Sequence, residues 1–348
     1  MDIAQRLRQR LIDIESSIRA NPSRITDSGI FATETAADVT CALTAMVESS
    51  VPEDINGASV PKSLGIVGAQ SVPTSLWPYL LVATCLDVPV TLKVAVGDIP
   101  GIHLLAEVLQ SASKSMRPDW TVTTVDGRSL LDDGYWDQHE RLLVFGASTT
   151  TQFYKKRYGE GAKVVTFGHC ISVMFLCPES MQSSSKWEAD FLAFQHTGCL
   201  APRLVISPDS VSFSELGLAF CERLTNRRFV DIAHQVGLRQ VYQGLRAQSR
   251  DCHRSPDGMW LFVDGSVPHE WECVPGLVCF LKMSDYIESH KLPVGATALP
   301  DRYDTFGVPS EMTALASYLC GWGHMQFPPL TWENFGFNAF DSVITKIP

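Results

Sequence analysis

The sequence lacks the features that identify secreted, membrane-spanning and nucleic-acid-binding proteins. No apolar run approaches the roughly 20 residues that a membrane helix needs, and the N-terminal stretch has no apolar core of a signal peptide. Basic residues form only short runs such as 155–157, in a chain of net charge −10, which argues against a nucleic-acid-binding surface. Internal repeats and low-complexity tracts are also missing. We therefore expect a cytoplasmic protein that binds neither membranes nor nucleic acid.

Cysteine pairs with functional spacing are absent too. The ten cysteines are scattered singly, without a C-x-x-C pair or the spacing of zinc ligands. This usage predicts reduced thiols rather than a disulfide framework, and no metal site. What the chain does have is the composition of a globular enzyme, with 45% hydrophobic and 19% charged residues. Its 348 residues are enough for two domains.

Apolar runs alternate with helical periodicity from residue 64 onward. Helices are predicted over 2–20 and 27–48, and then over 75–86, 102–114 and up to residue 158. The intervening strands are predicted at 64–69, 88–94, 121–125, 141–146, 163–167 and 171–176. Such alternation indicates an α/β fold with an open, mostly parallel sheet. Farther along, strands are predicted at 204–206, 258–263 and 277–283, helices at 211–225, 229–248 and 311–319, and irregular chain at 321–332.

Two predicted strands end in small and hydroxyl-bearing residues, at 68–71 and 146–151. Ligands of open parallel sheets bind beyond the carboxyl ends of the strands. Hydroxyls and backbone N–H groups at a helix start suit a phosphate. Neither stretch carries the G-x-G-x-x-G fingerprint, so ordinary strand-to-helix turns capped by Ser or Thr remain the alternative.

Cys199 lies in a turn of small residues, with Gly198 before it and Ala201-Pro202 after it, followed by an apolar strand. This pattern predicts a thiol at the mouth of a strand, where a substrate can reach it. The alternative is a buried core cysteine.

Taken in chain order, these segments resemble the aldehyde dehydrogenase superfamily, and most of all the long-chain acyl-CoA reductases of bacterial bioluminescence operons. The resemblance spans about residues 60–336, through segments at 64–68, 91–94, 144–148, 167–169 and 323–332. It implies an aldehyde dehydrogenase-like fold with a dinucleotide-binding domain over 56–195 and a catalytic domain over 196–320. An N-terminal helical segment (1–55) and a C-terminal segment (321–348) would complete the chain.

The resemblance also implies a chemistry. Cys199 would attack an acyl thioester, either acyl-CoA or acyl-carrier, and NADPH would deliver hydride to release an aldehyde. Carried over position by position, the catalytic residues would be Cys199, Ser71 and His196. The cofactor-binding residues would be Gly68, Gln70, Lys93, Gly146, Ser148, Thr149 and Glu272.

The chain departs from the superfamily pattern at two positions. Ser71 stands where an asparagine helps to form the oxyanion hole, and Thr166 lies near the position of the glutamate that activates water. Loss of that base favours acyl transfer to a thiol over hydrolysis. His196 has two possible roles, proton transfer or stabilisation of the turn.

Several alternatives stay open at this point. The chain is an acyl-thioester reductase, an acyl transferase on the same scaffold, or a non-catalytic subunit of an acyl-activating or acyl-transferring partner enzyme. A homo-oligomer and a hetero-complex are both compatible with the sequence. Lys93 favours NADPH over NADH, and nothing in the sequence specifies the acyl chain length.

Overall fold

The computed structural model describes two compact units of this chain. Unit 1 comprises Met1–His169 and Phe327–Pro348, and unit 2 comprises Cys170–Gln326. The described residues are 2–22, 25, 36–68, 73–113, 116, 118–124, 134–159, 163–168, 170–176, 181–182, 184–226, 232–267, 274–289, 294–299, 316–334 and 337–344. The boundary between the two units lies after residue 169, whereas the predicted domain boundary lies after residue 195. The two differ because the strand predicted at 171–176 pairs in the sheet of unit 2.

Unit 1 contains a five-stranded sheet in which every pairing is parallel. Its strands are β1 Leu64–Val67, β2 Val90–Val94, β3 Trp120–Thr124, β4 Arg141–Phe145 and β5 Val164–Phe167. Their spatial order is β3-β2-β1-β4-β5. Because β1 lies between β2 and β4, it is buried along its whole length. The predicted parallel sheet is confirmed.

Helices accompany this sheet at the predicted places, except that residues 27–35 of the helix predicted over 27–48 lie outside the described part of the chain. They are α1 Ile3–Ala20, α2 Ala36–Val47, α3 Trp77–Cys85, α4 Ile99–Ala112 and α5 Ser148–Tyr158. The first helix begins at an Asp2 side-chain cap and buries an apolar stripe that runs from Leu7 to Ile18. It packs against α2, α3 and α4, so the N-terminal segment is part of unit 1.

Unit 2 contains a seven-stranded sheet. Its strands are β6 Ile171–Phe175, β7 Pro202–Ser207, β8 Cys252–Arg254, β9 Leu261–Asp264, β10 Leu277–Lys282, β11 Val294–Leu299 and β12 Ala316–Gly321. The order is β12-β11-β6-β7-β10-β9-β8, and only β8 runs antiparallel, to β9. The helices of this unit are α6 Lys186–Leu192, α7 Phe213–Leu224, α8 Ile232–Ala247 and α9 Met283–Ser289.

The helix predicted over 311–319 is wrong. Ala316–Gly321 is a strand that pairs in parallel with β11, and residues 311–315 lie outside the described part of the chain. A short apolar run fits either a strand or a buried helix, and here the backbone partners offered by β11 decide. That neighbouring strand itself was not predicted.

The chain returns to unit 1 at its C-terminal end. There α10 Ala339–Val343 packs against α3. The buried Arg141, at the start of β4, donates hydrogen bonds of 2.8 Å to the carbonyl oxygens of Asp341 and Ser342. Among the described residues, no helix combines the length and apolar character needed to cross a bilayer.

Candidate active site

The backbone that leads into Cys199 takes an unusual path. Phe194, Gln195 and His196 are consecutive residues with φ of 50°, 53° and 58°. Left-handed backbone of this kind costs an L-residue about 1–2 kcal/mol. Such a conformation persists only where the surrounding structure stabilises it. The contacts around these three residues therefore matter for the position of the thiol.

The His196 ring supplies much of that stabilisation. It is fully buried, stacks against Phe191 and contacts Trp260. Its Nδ1 accepts the backbone N–H of Gly276 at 2.9 Å, and its Nε2 lies 3.1 Å from the carbonyl oxygen of Pro202. This pairing corresponds to a neutral ring with the proton on Nε2. Since both nitrogens are engaged, the geometry favours the turn-stabilising role of His196 over proton transfer.

A buried cation lies beside the same turn. Arg203, in β7, donates to Nδ1 of His196 at 2.9 Å and to its carbonyl oxygen at 2.7 Å. It also donates to the carbonyl oxygen of Val274 at 2.9 Å. Sequence reasoning did not identify Arg203. The available signal was a charged residue within an otherwise apolar strand, which normally requires specific partners.

Cys199 itself is exposed, at the tip of a turn closed by a 3.1 Å hydrogen bond from the Ala201 N–H to the Gly198 carbonyl. Its own carbonyl oxygen accepts the hydroxyl of Ser172 at 3.0 Å. Ser172 is fully buried in β6, the strand beside β7. The backbone of the nucleophile candidate is thus hydrogen-bonded to β6, and the chain after it continues into β7.

The environment of Cys199 favours its thiolate. A hydrogen bond from the Cys170 side chain is the largest influence that lowers the pKa of Cys199, followed by its own backbone N–H, the charge of Arg203 and the N–H of Leu200. Surrounding protein atoms oppose ionisation by desolvation, but these groups outweigh that effect. The thiolate is the reactive form of cysteine, so a lowered pKa favours nucleophilic attack by Cys199.

These groups meet at the amino ends of three adjacent parallel strands. Cys170 immediately precedes β6, Cys199 lies just before β7, and Gly276 immediately precedes β10. The reactive sulfur of unit 2 therefore lies at the amino edge of its sheet.

The predicted dinucleotide-binding residues lie in unit 1. The Gly68 N–H donates to the carbonyl oxygen of Lys93 at 2.8 Å. A Cβ at Gly68 would come within 3.1 Å of that oxygen and 3.0 Å of Leu76 Cδ1, so the close approach requires glycine. Lys93 is half-buried on β2, at the position paired with Val67.

The second strand end opens a helix. Gly146 follows β4, and α5 starts two residues later at Ser148, with no side-chain cap from Ala147. Ser148 and Thr149 are exposed, so the first N–H groups of the helix can face an anionic ligand. Because β1 and β4 flank the point where the strand order reverses, Gly68 and Gly146 lie at the same edge of the sheet. This arrangement fits the pyrophosphate of a dinucleotide.

The remaining predicted positions are only partly covered. Ser71, Gln70 and Glu272 lie outside the described residues, and their roles stay predictions. Thr166 is half-buried in β5, opposite Val144 of β4.

Solved structures share this architecture. Methylmalonate-semialdehyde dehydrogenase from Oceanimonas doudoroffii superposes with a TM-score of 0.68 and 13% identity, over 97% of this chain and 80% of that one. A NAD-dependent benzaldehyde dehydrogenase from Corynebacterium glutamicum gives 0.65 and 14%, over 99% and 84%. A cysteine-to-alanine mutant of aldehyde dehydrogenase C from Pseudomonas syringae, with NAD+ and octanal, gives 0.63 and 11%, over 99% and 84%.

This chain has the aldehyde dehydrogenase fold. The fold prediction is therefore confirmed. In sequence, no family profile and no curated protein matches the chain. The similarity to acyl-CoA reductases within this fold stays a prediction.

Proposed function

We propose that this chain is a nicotinamide-dependent oxidoreductase that reduces an acyl thioester to an aldehyde, with NADPH as hydride donor and Cys199 as covalent nucleophile. One observation carries the proposal. On an aldehyde dehydrogenase fold, Cys199 is exposed, has a lowered pKa and is held by the neighbouring strand through Ser172.

The residues of unit 2 would perform the acyl transfer. The Cys199 thiolate attacks the carbonyl carbon of the entering thioester, and the thiol of CoA or of a carrier leaves. One thioester replaces another, so this step is nearly isoenergetic. The oxyanion of the tetrahedral intermediate needs N–H donors, each worth about 3–4 kcal/mol. Within unit 2 the candidate donor is the Cys199 backbone N–H, and the role of Ser71 stays the expectation that the sequence resemblance gives.

The residues of unit 1 would bind the dinucleotide. Gly68 and Gly146 follow the two strands that flank the reversal of strand order, while Ser148 and Thr149 begin the helix whose N–H groups suit a pyrophosphate. The Lys93 ammonium suits the 2′-phosphate of NADP. When bound, the dinucleotide supplies the hydride that reduces the acyl group. The NAD named for the Corynebacterium and Pseudomonas structures supports this cofactor class.

The proposed direction of reaction rests on the sequence near Thr166, where the resemblance places the glutamate that activates water and this chain has no such base. Without that base, an acyl group on Cys199 is not readily hydrolysed. Exchange with a thiol and reduction by hydride remain. Aldehydes are the substrates named for the related folds, and an aldehyde is the product expected here.

The proposal is tested by combining intact mass spectrometry with cofactor oxidation. Acyl-CoAs of increasing chain length are added without NADPH, and then with it, and the aldehyde is trapped as a hydrazone. We expect an acyl adduct on Cys199 and aldehyde formation equal to the NADPH consumed. Cys199→Ser should lower the rate by about 10³-fold or more. Cys41→Ser, at the other exposed cysteine among the described residues, should not.

The outcomes separate the candidate functions. An unchanged rate in Cys199→Ala contradicts the proposal. Adduct formation without NADPH oxidation identifies an acyl transferase, and no adduct from any thioester identifies a non-catalytic subunit. Lys93→Ala should raise the Kd for NADPH about tenfold, equivalent to about 1.4 kcal/mol, with a smaller effect on NADH.

A further inference from the structure

A second thiol, Cys170, contacts the candidate nucleophile. The side chain of Cys170 hydrogen-bonds the sulfur of Cys199. A second contact brings the two segments together. The hydroxyl of Ser172, two residues after Cys170, donates to the Cys199 carbonyl at 3.0 Å. Ser172 also pairs with Pro202 in the neighbouring strand, three residues after Cys199. The chain around Cys170 and the Cys199 turn are therefore held side by side.

The two cysteine residues differ in exposure and in thiol acidity. Cys199 is exposed at the tip of its turn and has a lowered pKa, whereas Cys170 is 5% exposed. Cys199 is therefore the thiol expected to react with an oxidant, and Cys170 is next to it when it has reacted. This is the arrangement of a peroxidatic and a resolving cysteine, in which an accessible low-pKa thiol has a second thiol next to it.

We propose that Cys170 and Cys199 form a reversible disulfide when the protein meets a hydroperoxide. The Cys199 thiolate attacks the terminal peroxide oxygen, the O–O bond breaks, and an alcohol or water leaves with one proton. Cys199 is then a sulfenic acid. The Cys170 sulfur next attacks the Cys199 sulfur, an S–S bond replaces the S–O bond, and the hydroxide leaves as water with the Cys170 proton. Two thiols are oxidised and one peroxide is reduced.

The consequence is protection of the thiol in an inactive form. A sulfenic acid without a resolving thiol proceeds to sulfinic and sulfonic acids, which ordinary thiols do not reverse. The disulfide stops that progression, and an external dithiol restores both cysteines by exchange. The modification blocks any reaction at Cys199, whichever acyl substrate the protein uses.

The test is peptide mapping and alkylation of the whole chain after treatment with hydrogen peroxide. In the unmodified protein we expect a mass loss of two hydrogens, a crosslinked peptide pair containing Cys170 and Cys199, and full recovery of Cys199 alkylation with dithiothreitol. Cys170→Ser retains a hydroxyl of similar size at the contact. That variant should instead gain two or three oxygen atoms at Cys199, and dithiothreitol should restore at least severalfold less Cys199 alkylation than in the unmodified protein.

Cys41→Ser serves as the matched control. Cys41 is exposed like Cys199, but its pKa is raised by burial of the sulfur and by Asp38, so its removal should leave the crosslink intact. Oxygen addition at Cys199 without a crosslink in the unmodified protein would overturn the inference, as would equal dithiothreitol recovery in Cys170→Ser. Both measurements detect covalent changes of the cysteines, so they test the disulfide even if no reductase activity is found. Conversely, an active reductase that forms no crosslink rejects only the disulfide.

Discussion

At the scale of single residues, Ser172 is the side chain that joins the nucleophile turn to the neighbouring strand. Ser172→Ala removes the donor to the Cys199 carbonyl, and we expect a loss of about 1 kcal/mol in the free energy of unfolding together with severalfold slower alkylation of Cys199. Urea unfolding and iodoacetamide labelling measure the two effects. Ser207→Ala is the control, since that buried serine bonds Leu281 instead. Equal labelling rates in the two variants would contradict the role of Ser172.

Asp190 predicts a specific pH dependence of stability. Burial raises the pKa of this carboxyl to about 7, against the opposing effect of hydrogen bonds from the Gly323 and Met325 N–H groups. Between about pH 4 and pH 7 the native chain therefore holds a proton that the unfolded chain has released. The free energy of unfolding should fall as pH rises through this window, by up to about 1.4 kcal/mol per unit.

Asp190→Asn tests this dependence because an amide does not titrate there. Urea unfolding at several pH values should show a shallower fall with rising pH than in the unmodified protein. An unchanged slope would exclude Asp190 as its source.

The local sequence identifies Cys199 and its turn as a candidate site, but it does not identify the groups that lower the pKa of Cys199. Cys170 reads as an ordinary core thiol, and it is indeed buried. Its contact with Cys199 exists because β6 and β7 pair with Ser172 opposite Pro202. Pairing register between strands separated by a helix is not encoded in either strand alone, which is why Ser172 was also missed.

At the scale of elements, Gly65 shows how closely β1 is covered. A Cβ at this position would lie 2.8 Å from both Leu142 Cδ1 and Trp136 Cε3. We expect Gly65→Ala to lower the free energy of unfolding by about 1–3 kcal/mol, because the buried indole must move. Gly57→Ala is the control, as a Cβ there meets no heavy atom within 4 Å. Urea denaturation that shows equal stability for the two variants would contradict the packing.

The sequence predicts the elements with strong local signals and does not predict those without one. The strands of unit 1 are apolar runs separated by clear helical periodicity, and α1 carries a continuous apolar stripe. β12 forms where the sequence predicts a helix, and the three-residue β8 has no predicted counterpart. Both are short segments whose conformation is decided by the backbone hydrogen bonds of a partner strand.

At the scale of the whole molecule, Arg141 joins the two sequence-distant parts of unit 1. Arg141→Met removes both donors to the α10 carbonyls while keeping an apolar stem, and we expect a loss of about 2–3 kcal/mol. Arg250→Met is the matched control. It also binds two carbonyls, of Asp264 and Ser266, but at a half-exposed position where water can replace it. Urea unfolding should show the larger loss in free energy of unfolding for Arg141→Met. Equal losses in the two variants would contradict the stabilising role of Arg141.

The return of the chain to unit 1 has a consequence for synthesis on the ribosome. Unit 2 is one uninterrupted stretch, so all of its strands have been translated before α10 exists. Since α10 follows unit 2 in the chain, α3 gains that packing partner only after unit 2 has been made. The nascent segment before unit 2 must therefore keep an apolar helix face from aggregating while the intervening residues are still being translated.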